Sequence, residues 1–124
     1  MDKIGARYSD QAAFYNVYIR EAHPADGWRS SSNDEVGIMI DQPKTIEERT
    51  QVAVQCCSAL QMSIPLLVDG IDDRVNRAYC AFPDRLYIVD KAGRIAFKSG
   101  RGPFGYQPRA MEQSLITLLL AEQI

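Results

Sequence analysis

The sequence predicts an α/β domain in which a sheet that is parallel in part is covered by helices. Three observations predict it. Short apolar strand-like runs alternate with helical stretches, two such runs late in the chain flank a short Gly-containing loop, and the last stretch has helical periodicity behind a proline. At 124 residues the chain is expected to be a single domain, 1–124, with one buried core.

The elements follow in order. Residues 2–12 are polar, with Ile4 and Tyr8 four apart, which suits a short helix that Gly5 weakens. Phe14 to Ile19 is aromatic and β-branched and reads as a strand, broken by Pro24 and Asp26-Gly27. Residues 29–43 read as a Ser/Asn/Asp-rich loop, with a short extended piece at Val36 to Ile40. Thr45 followed by Glu48 is a capping-box spacing that opens a helix to about Gln61, and Ile46, Ala53, Cys57 and Leu60 recur at helical spacing toward the core. Pro65 to Val68 is a fully apolar strand closed by Asp69-Gly70, and Asp72 to Cys80 forms one or two helical turns. Arg85 to Asp90 and Arg94 to Lys98 flank Lys91-Ala92-Gly93 as a β-hairpin. After the loop Gly100 to Tyr106, a helix runs from Pro108 to the end with Met111, Leu115, Leu118 and Leu119 on one face.

Composition narrows the function classes. Hydrophobic residues make up 46 % and charged residues 24 %, as in soluble globular proteins. A net charge of -2 gives no electrostatic reason to expect nucleic acid or an anionic membrane as partner. Apolar stretches such as Leu115 to Ala121 fall short of the roughly 18 residues that span a bilayer. No leader pattern opens the chain, so the expected location is the cytoplasm, where the three cysteines stay reduced. No metal-ligand spacing, CxxC pair or phosphate loop is present, and no cofactor is expected.

Five segments in order carry a resemblance: VYIREAHPADGW (Val17 to Trp28), TIEER (Thr45 to Arg49), LLVD (Leu66 to Asp69), AFPDRLYIVDKAGRI (Ala81 to Ile95) and GRGPFGY (Gly100 to Tyr106). A weaker match runs back to Met1 through Phe14, Tyr8 and Ile4. With these segments the chain resembles the catalytic domain of the iodothyronine deiodinases, selenoenzymes of thioredoxin-like fold. The resemblance implies a thioredoxin-like domain that lacks the first, redox-bearing strand, with a mixed sheet ending in a β-hairpin and helix.

Residue by residue, the resemblance implies that His23 is the active-site histidine, a proton donor or substrate contact, and that Glu21 orients its ring. A position just past a strand's C-terminal end suits ligand binding in open α/β sheets, and an imidazole there switches protonation near neutral pH. Arg101 matches an arginine placed to hold a carboxylate or phenolate through its planar fork. Trp28 is expected to line the same cleft, and the substrate implied is a small aromatic or halogenated molecule. Each residue also has a plainer reading: His23 as a loop cap, Glu21 as a solvated strand-end charge, Arg101 as a surface charge. Two departures stand out. Arg20 sits where the family usually has a second Glu, and no histidine lies near Pro43, where family members can carry one.

The family's selenocysteine, or a cysteine in its place, is not among these residues. Without a soft nucleophile, reductive deiodination as the family performs it is not expected. The family's selenocysteine strand would fall just before Met1. The sequence is therefore expected to be the downstream part of a selenoprotein reading frame, with a naturally shortened protein as the competing account. The strand would lie between Phe14–Ile19 and Arg85–Asp90, so those two are expected either to pair directly or to take a strand or helix from a second copy, giving a homodimer or strand-swapped oligomer. Cys56, Cys57 and Cys80 are expected to be small core or half-buried residues. Two other function classes remain open: a thiol redox enzyme using Cys57 or Cys80, and a non-catalytic binding or dimerisation domain using the cleft around His23, Trp28 and Arg101.

Overall fold

In the structure, a computed structural model, residues 1–21 and 42–123 are described. The loop expected over residues 29–43 therefore lies largely outside the described residues, as do His23 and Trp28. The described chain is mixed α/β and falls into two compact units, Tyr15–Cys80 and Met1–Phe14 with Ala81–Ile124.

The Tyr15–Cys80 unit contains β1 (Asn16–Tyr18), α2 (Ile46–Ala59), β2 (Leu66–Val68) and α3 (Arg74–Tyr79). β1 and β2 run parallel with Asn16 opposite Leu66, Val17 opposite Leu67 and Tyr18 opposite Val68. The ladder extends at both ends: Asn16 N donates to Pro65 O (2.9 Å) and Asp69 N to Tyr18 O (2.8 Å). α2 packs on β2. Its start follows the capping box: the Glu48 amide donates to Thr45 Oγ1 (3.1 Å), while the Glu48 carboxylate reaches back to the Lys44 amide (2.8 Å).

The expected core face of α2 is corrected in detail. Ala53 is fully buried, but Ile46 and Leu60 are exposed, at 39 % and 57 %. Ile46 occupies the first turn and Leu60 the C-cap, while the buried stripe runs from Arg49 to Ala53 and on to the half-buried Cys56 and Cys57. That spacing of four, three and four residues is one helix face, and it opens with a buried arginine that the expected face did not include. β2 departs in the same way: its run is fully apolar, yet Leu67 is 49 % exposed opposite an exposed Val17.

The other unit contains α1 (Asp2–Arg7), β3 (Tyr87–Val89), β4 (Ile95–Lys98) and α4 (Pro108–Ala121). β3 and β4 form the expected antiparallel hairpin, with a register shift between Ile88 and Val89. Asp90 organises its turn: one carboxylate oxygen accepts from the Ala92 and Arg94 amides (both 2.9 Å). Gly93 supplies the positive φ of 81° that the turn needs. α4 begins with Pro108 in its first turn, packs on β3 and β4, and buries Met111 and Leu115 to 4 % exposure. Ile4 of α1 is buried too, and α1 is linked to α4 through Glu112, which accepts from Tyr8 Oη (3.0 Å) and from Arg7.

Among the described residues the ladders are thus two two-stranded sheets, one parallel and one antiparallel. The expected single mixed sheet is not formed by them, and the direct pairing of Phe14–Ile19 with Arg85–Asp90 is not among the described ladders. No helix of the described residues is long and apolar enough to cross a membrane.

Candidate functional site

The C-terminal end of β1 is the expected place for a site, and the chain there is held at several points. Tyr18, the last residue of β1, donates its hydroxyl to the Glu21 carboxylate. The side-chain amide of Gln42 pairs with the main chain of Glu21 on both sides: the Glu21 amide donates to Gln42 Oε1 and Gln42 Nε2 donates to the Glu21 carbonyl, both 2.9 Å. The positions on either side of residues 22–41, the segment that holds His23 and Trp28, are thereby tied together. Glu21 is half-buried and its carboxylate is occupied by the tyrosine. It is therefore no freely solvated strand-end charge.

Burial and the neighbouring Glu21 push the Tyr18 phenol far above its ordinary value, so it stays protonated and acts as a fixed donor. The same pair of causes raises the Cys56 thiol. A thiol on which burial and a nearby carboxylate disfavour the charged form is a poor nucleophile at neutral pH.

Beside this end of the ladder lies a buried polar group. Arg49, 2 % exposed, donates from Nη1 to the Gly70 carbonyl (2.7 Å) and more distantly to that of Asp69 (3.4 Å). Its Nη2 lies 3.0 Å from Asp73 Oδ1. Asp69, 1 % exposed, accepts from the amides of Val75 (2.9 Å) and Asn76 (3.0 Å). It caps α3 in place of Asp73, the residue at the N-cap, which has φ 58° and makes no side-chain cap bond. Arginine and aspartate thus hold the β2–α3 connection at the strand end where ligands of parallel sheets bind.

Arg101 belongs to the other unit, in the loop Gly100 to Tyr106, and its side chain is exposed. The loop is tightly closed. Gly102 N donates to Asp84 O (3.0 Å) and Gly105 N to Arg101 O (2.7 Å). The buried Ser99 accepts from the Leu86 amide and donates to the Gly100 carbonyl, both 2.8 Å. A Cβ at Gly105 would run into the backbone of Gly100 and Arg101, so that position needs glycine, whereas one at Gly102 would meet only the movable Asp84 carboxylate. Burial and Asp84 raise the Tyr106 phenol at the end of the loop.

Of the residues singled out by sequence, Glu21 and Arg101 are described, in different units, and His23 and Trp28 lie outside the described residues. The cysteines are free. Cys57 is half-buried and donates to the Met62 carbonyl (3.7 Å). Cys80 corrects the expectation of burial: it is exposed, because it is the left-handed C-cap of α3, past the last helical turn. Sequence reasoning missed Tyr18, Gln42, Arg49 and Asp69. The available signal for Tyr18 was its spacing of three from Glu21; for Arg49 it was a position four before Ala53 on the buried face.

A model of the iodothyronine deiodinase family matches residues 1–118. Thyroxine 5-deiodinase of Sparus aurata is 39 % identical over 105 residues, which is 85 % of this chain and 38 % of that protein. The thyroxine 5-deiodinase of Gallus gallus is 35 % identical over 105 residues, covering 85 % of this chain and 39 % of that protein. That of Homo sapiens is 33 % identical over 108 residues, covering 85 % of this chain and 33 % of that protein. The chain spans about a third to two-fifths of the length of the curated relatives it matches.

Proposed function

The chain belongs to the iodothyronine deiodinase family, and from that membership we propose that its residues form the acid- and anion-binding part of a deiodinase-like site but do not by themselves reduce a carbon–iodine bond. The observation that carries this reading is the family match over residues 1–118, which includes both EAHPADGW and GRGPFGY, in a sequence that contains no selenocysteine. In this reading the 124 residues make one thioredoxin-like domain. His23 gives or shares the proton, Glu21 orients its ring, Arg101 holds the anionic end of a small aromatic or halogenated substrate, and Trp28 lines the cleft.

The geometry around Glu21 supports its part. A carboxylate already fixed by Tyr18, on a backbone clamped by Gln42, has a defined position from which to orient a neighbour. The raised Cys56 thiol supports the other half, since it leaves that cysteine without the thiolate character that attack on iodine needs.

Calorimetric titration with diiodotyrosine tests the binding part. The chain should bind it, and His23→Ala and Arg101→Gln should each weaken binding about tenfold, the scale of a hydrogen bond to a charged group. Arg101→Lys should not restore full affinity, because the ammonium lacks the planar fork. Binding that is the same in wild type, His23→Ala and Arg101→Gln would overturn the assignment.

A further inference from the structure

One described side chain stands out by its exposure. Phe104 is 94 % exposed, far beyond any other large apolar residue of the described chain. It sits at the tip of the loop Gly100 to Tyr106, inside the five-residue turn closed by the bond from Gly105 N to Arg101 O (2.7 Å). Arg101 therefore opens the turn that carries Phe104, and both side chains are exposed.

A bare phenylalanine on a flexible tip would need no explanation. This tip is held at both ends. Ser99, 7 % exposed, bonds the Leu86 amide on one side and the Gly100 carbonyl on the other. Gly102 N is bonded to Asp84 O, and Gly105 packs so directly on the backbone of Gly100 and Arg101 that a Cβ would not fit. The chain thus uses a buried hydroxyl, a main-chain bond from Gly102 to Asp84 and one sterically required glycine, Gly105, to fix a loop whose tip points its largest apolar group into water. That arrangement lowers the ordering cost of whatever the ring meets, since a phenylalanine has only two side-chain torsions left to settle.

We propose that Phe104 is a specificity-determining residue, a stacking platform beside Arg101 that selects a flat aryl anion over an aliphatic anion or a neutral aryl group. This rests on the reading of Arg101 as the anion-holding group. The guanidinium takes the carboxylate or phenolate through its fork, and the ring of the ligand lies offset on the ring of Phe104. An aliphatic acid satisfies the arginine alone, and a neutral aryl compound satisfies the phenylalanine alone.

Titration calorimetry with phenylacetate, cyclohexylacetate and phenylacetamide separates the two contacts. Phenylacetate should bind tightest. Phe104→Leu, which keeps apolar bulk without the ring, should weaken phenylacetate about two- to tenfold, leave cyclohexylacetate unchanged, and be rescued by Phe104→Trp. An exposed position makes these variants safe for folding, and a thermal melt checks that. Equal phenylacetate affinity in wild type and Phe104→Leu overturns the proposal, as does wild type that binds no phenylacetate. So does sedimentation in which Phe104→Ala abolishes self-association of the ligand-free chain without affecting phenylacetate, since the ring then serves a second copy. Weakened phenylacetate binding in both Phe104→Leu and Arg101→Gln, with diiodotyrosine binding indifferent to His23→Ala, keeps the platform and overturns the wider site. Phenylacetate binding that Arg101→Gln weakens and Phe104→Leu leaves unchanged, with diiodotyrosine binding weakened by His23→Ala, keeps the wider site and overturns the platform.

Discussion

In the Tyr15–Cys80 unit the helix α2 presses a buried arginine against the end of β2, whereas in the other unit α4 covers a hairpin with methionine and leucine. Both helices are fourteen residues long and both lie on short strands. They differ in what is removed from water. α4 loses apolar surface, which is non-directional and tolerates adjustment. α2 loses a charge, which is tolerable only while Gly70, Asp69 and Asp73 stay in place. The first kind of contact holds a helix on a sheet. The second also fixes a loop, and the loop it fixes follows β2, beside the strand end that leads to Glu21 and His23.

The largest expected effect tests the polar half of this comparison. Arg49→Met should cost about 3–5 kcal/mol in urea unfolding, because it leaves the Asp73 carboxylate and the Gly70 carbonyl without their partner. A loss under about 1 kcal/mol would show that the arginine is not what holds the connection. Leu115→Ala probes the apolar half and should cost about 2–5 kcal/mol, by lost burial and a residual cavity. Hydrogen exchange sharpens the contrast: Arg49→Met should lower protection first in β2 and α3, Leu115→Ala first in β3 and β4. Equal loosening of all four elements in both variants would erase the distinction between the units.

The smallest effect belongs to the hairpin turn. The amide bonds from Arg94 and Ala92, with the Arg94 cation beside them, hold the Asp90 carboxyl below its usual value. A depressed carboxylate contributes its stabilisation above the unfolded value of about 4 and loses it as pH falls through the lower folded value. Exchange protection of Val89 and Ile95 should therefore drop as the solution is acidified below about pH 4, and Asp90→Asn should remove that dependence. The same acid step in Asp90→Asn would assign it to another group.

The contrast between the units also marks what was legible in the sequence. The hairpin, its Gly93 turn, the Pro108 start of α4 and the Met111–Leu115 stripe all followed from apolar periodicity and turn chemistry, because those signals coincide with what is buried. The capping box at Thr45 and Glu48 was equally visible. Arg49 and Asp69 were not, since a charged residue at a helical position reads as solvent-facing and an aspartate after a strand reads as a turn. Only tertiary packing turns them inward. Leu67 and Ile46 show the converse, apolar residues that the fold leaves exposed. The proposed roles of Glu21 and Arg101 come from the family segments, while Tyr18 and Gln42, which fix Glu21, act through contacts that spacing alone did not single out.

Iodide release from thyroxine in the presence of a dithiol reductant tests the central claim most directly. The account predicts none above the reductant alone, in a chain that nevertheless binds diiodotyrosine. Iodide release that follows the wild-type chain and disappears in Cys57→Ser or Cys80→Ser would contradict it, because a thiolate of this chain would then be the nucleophile.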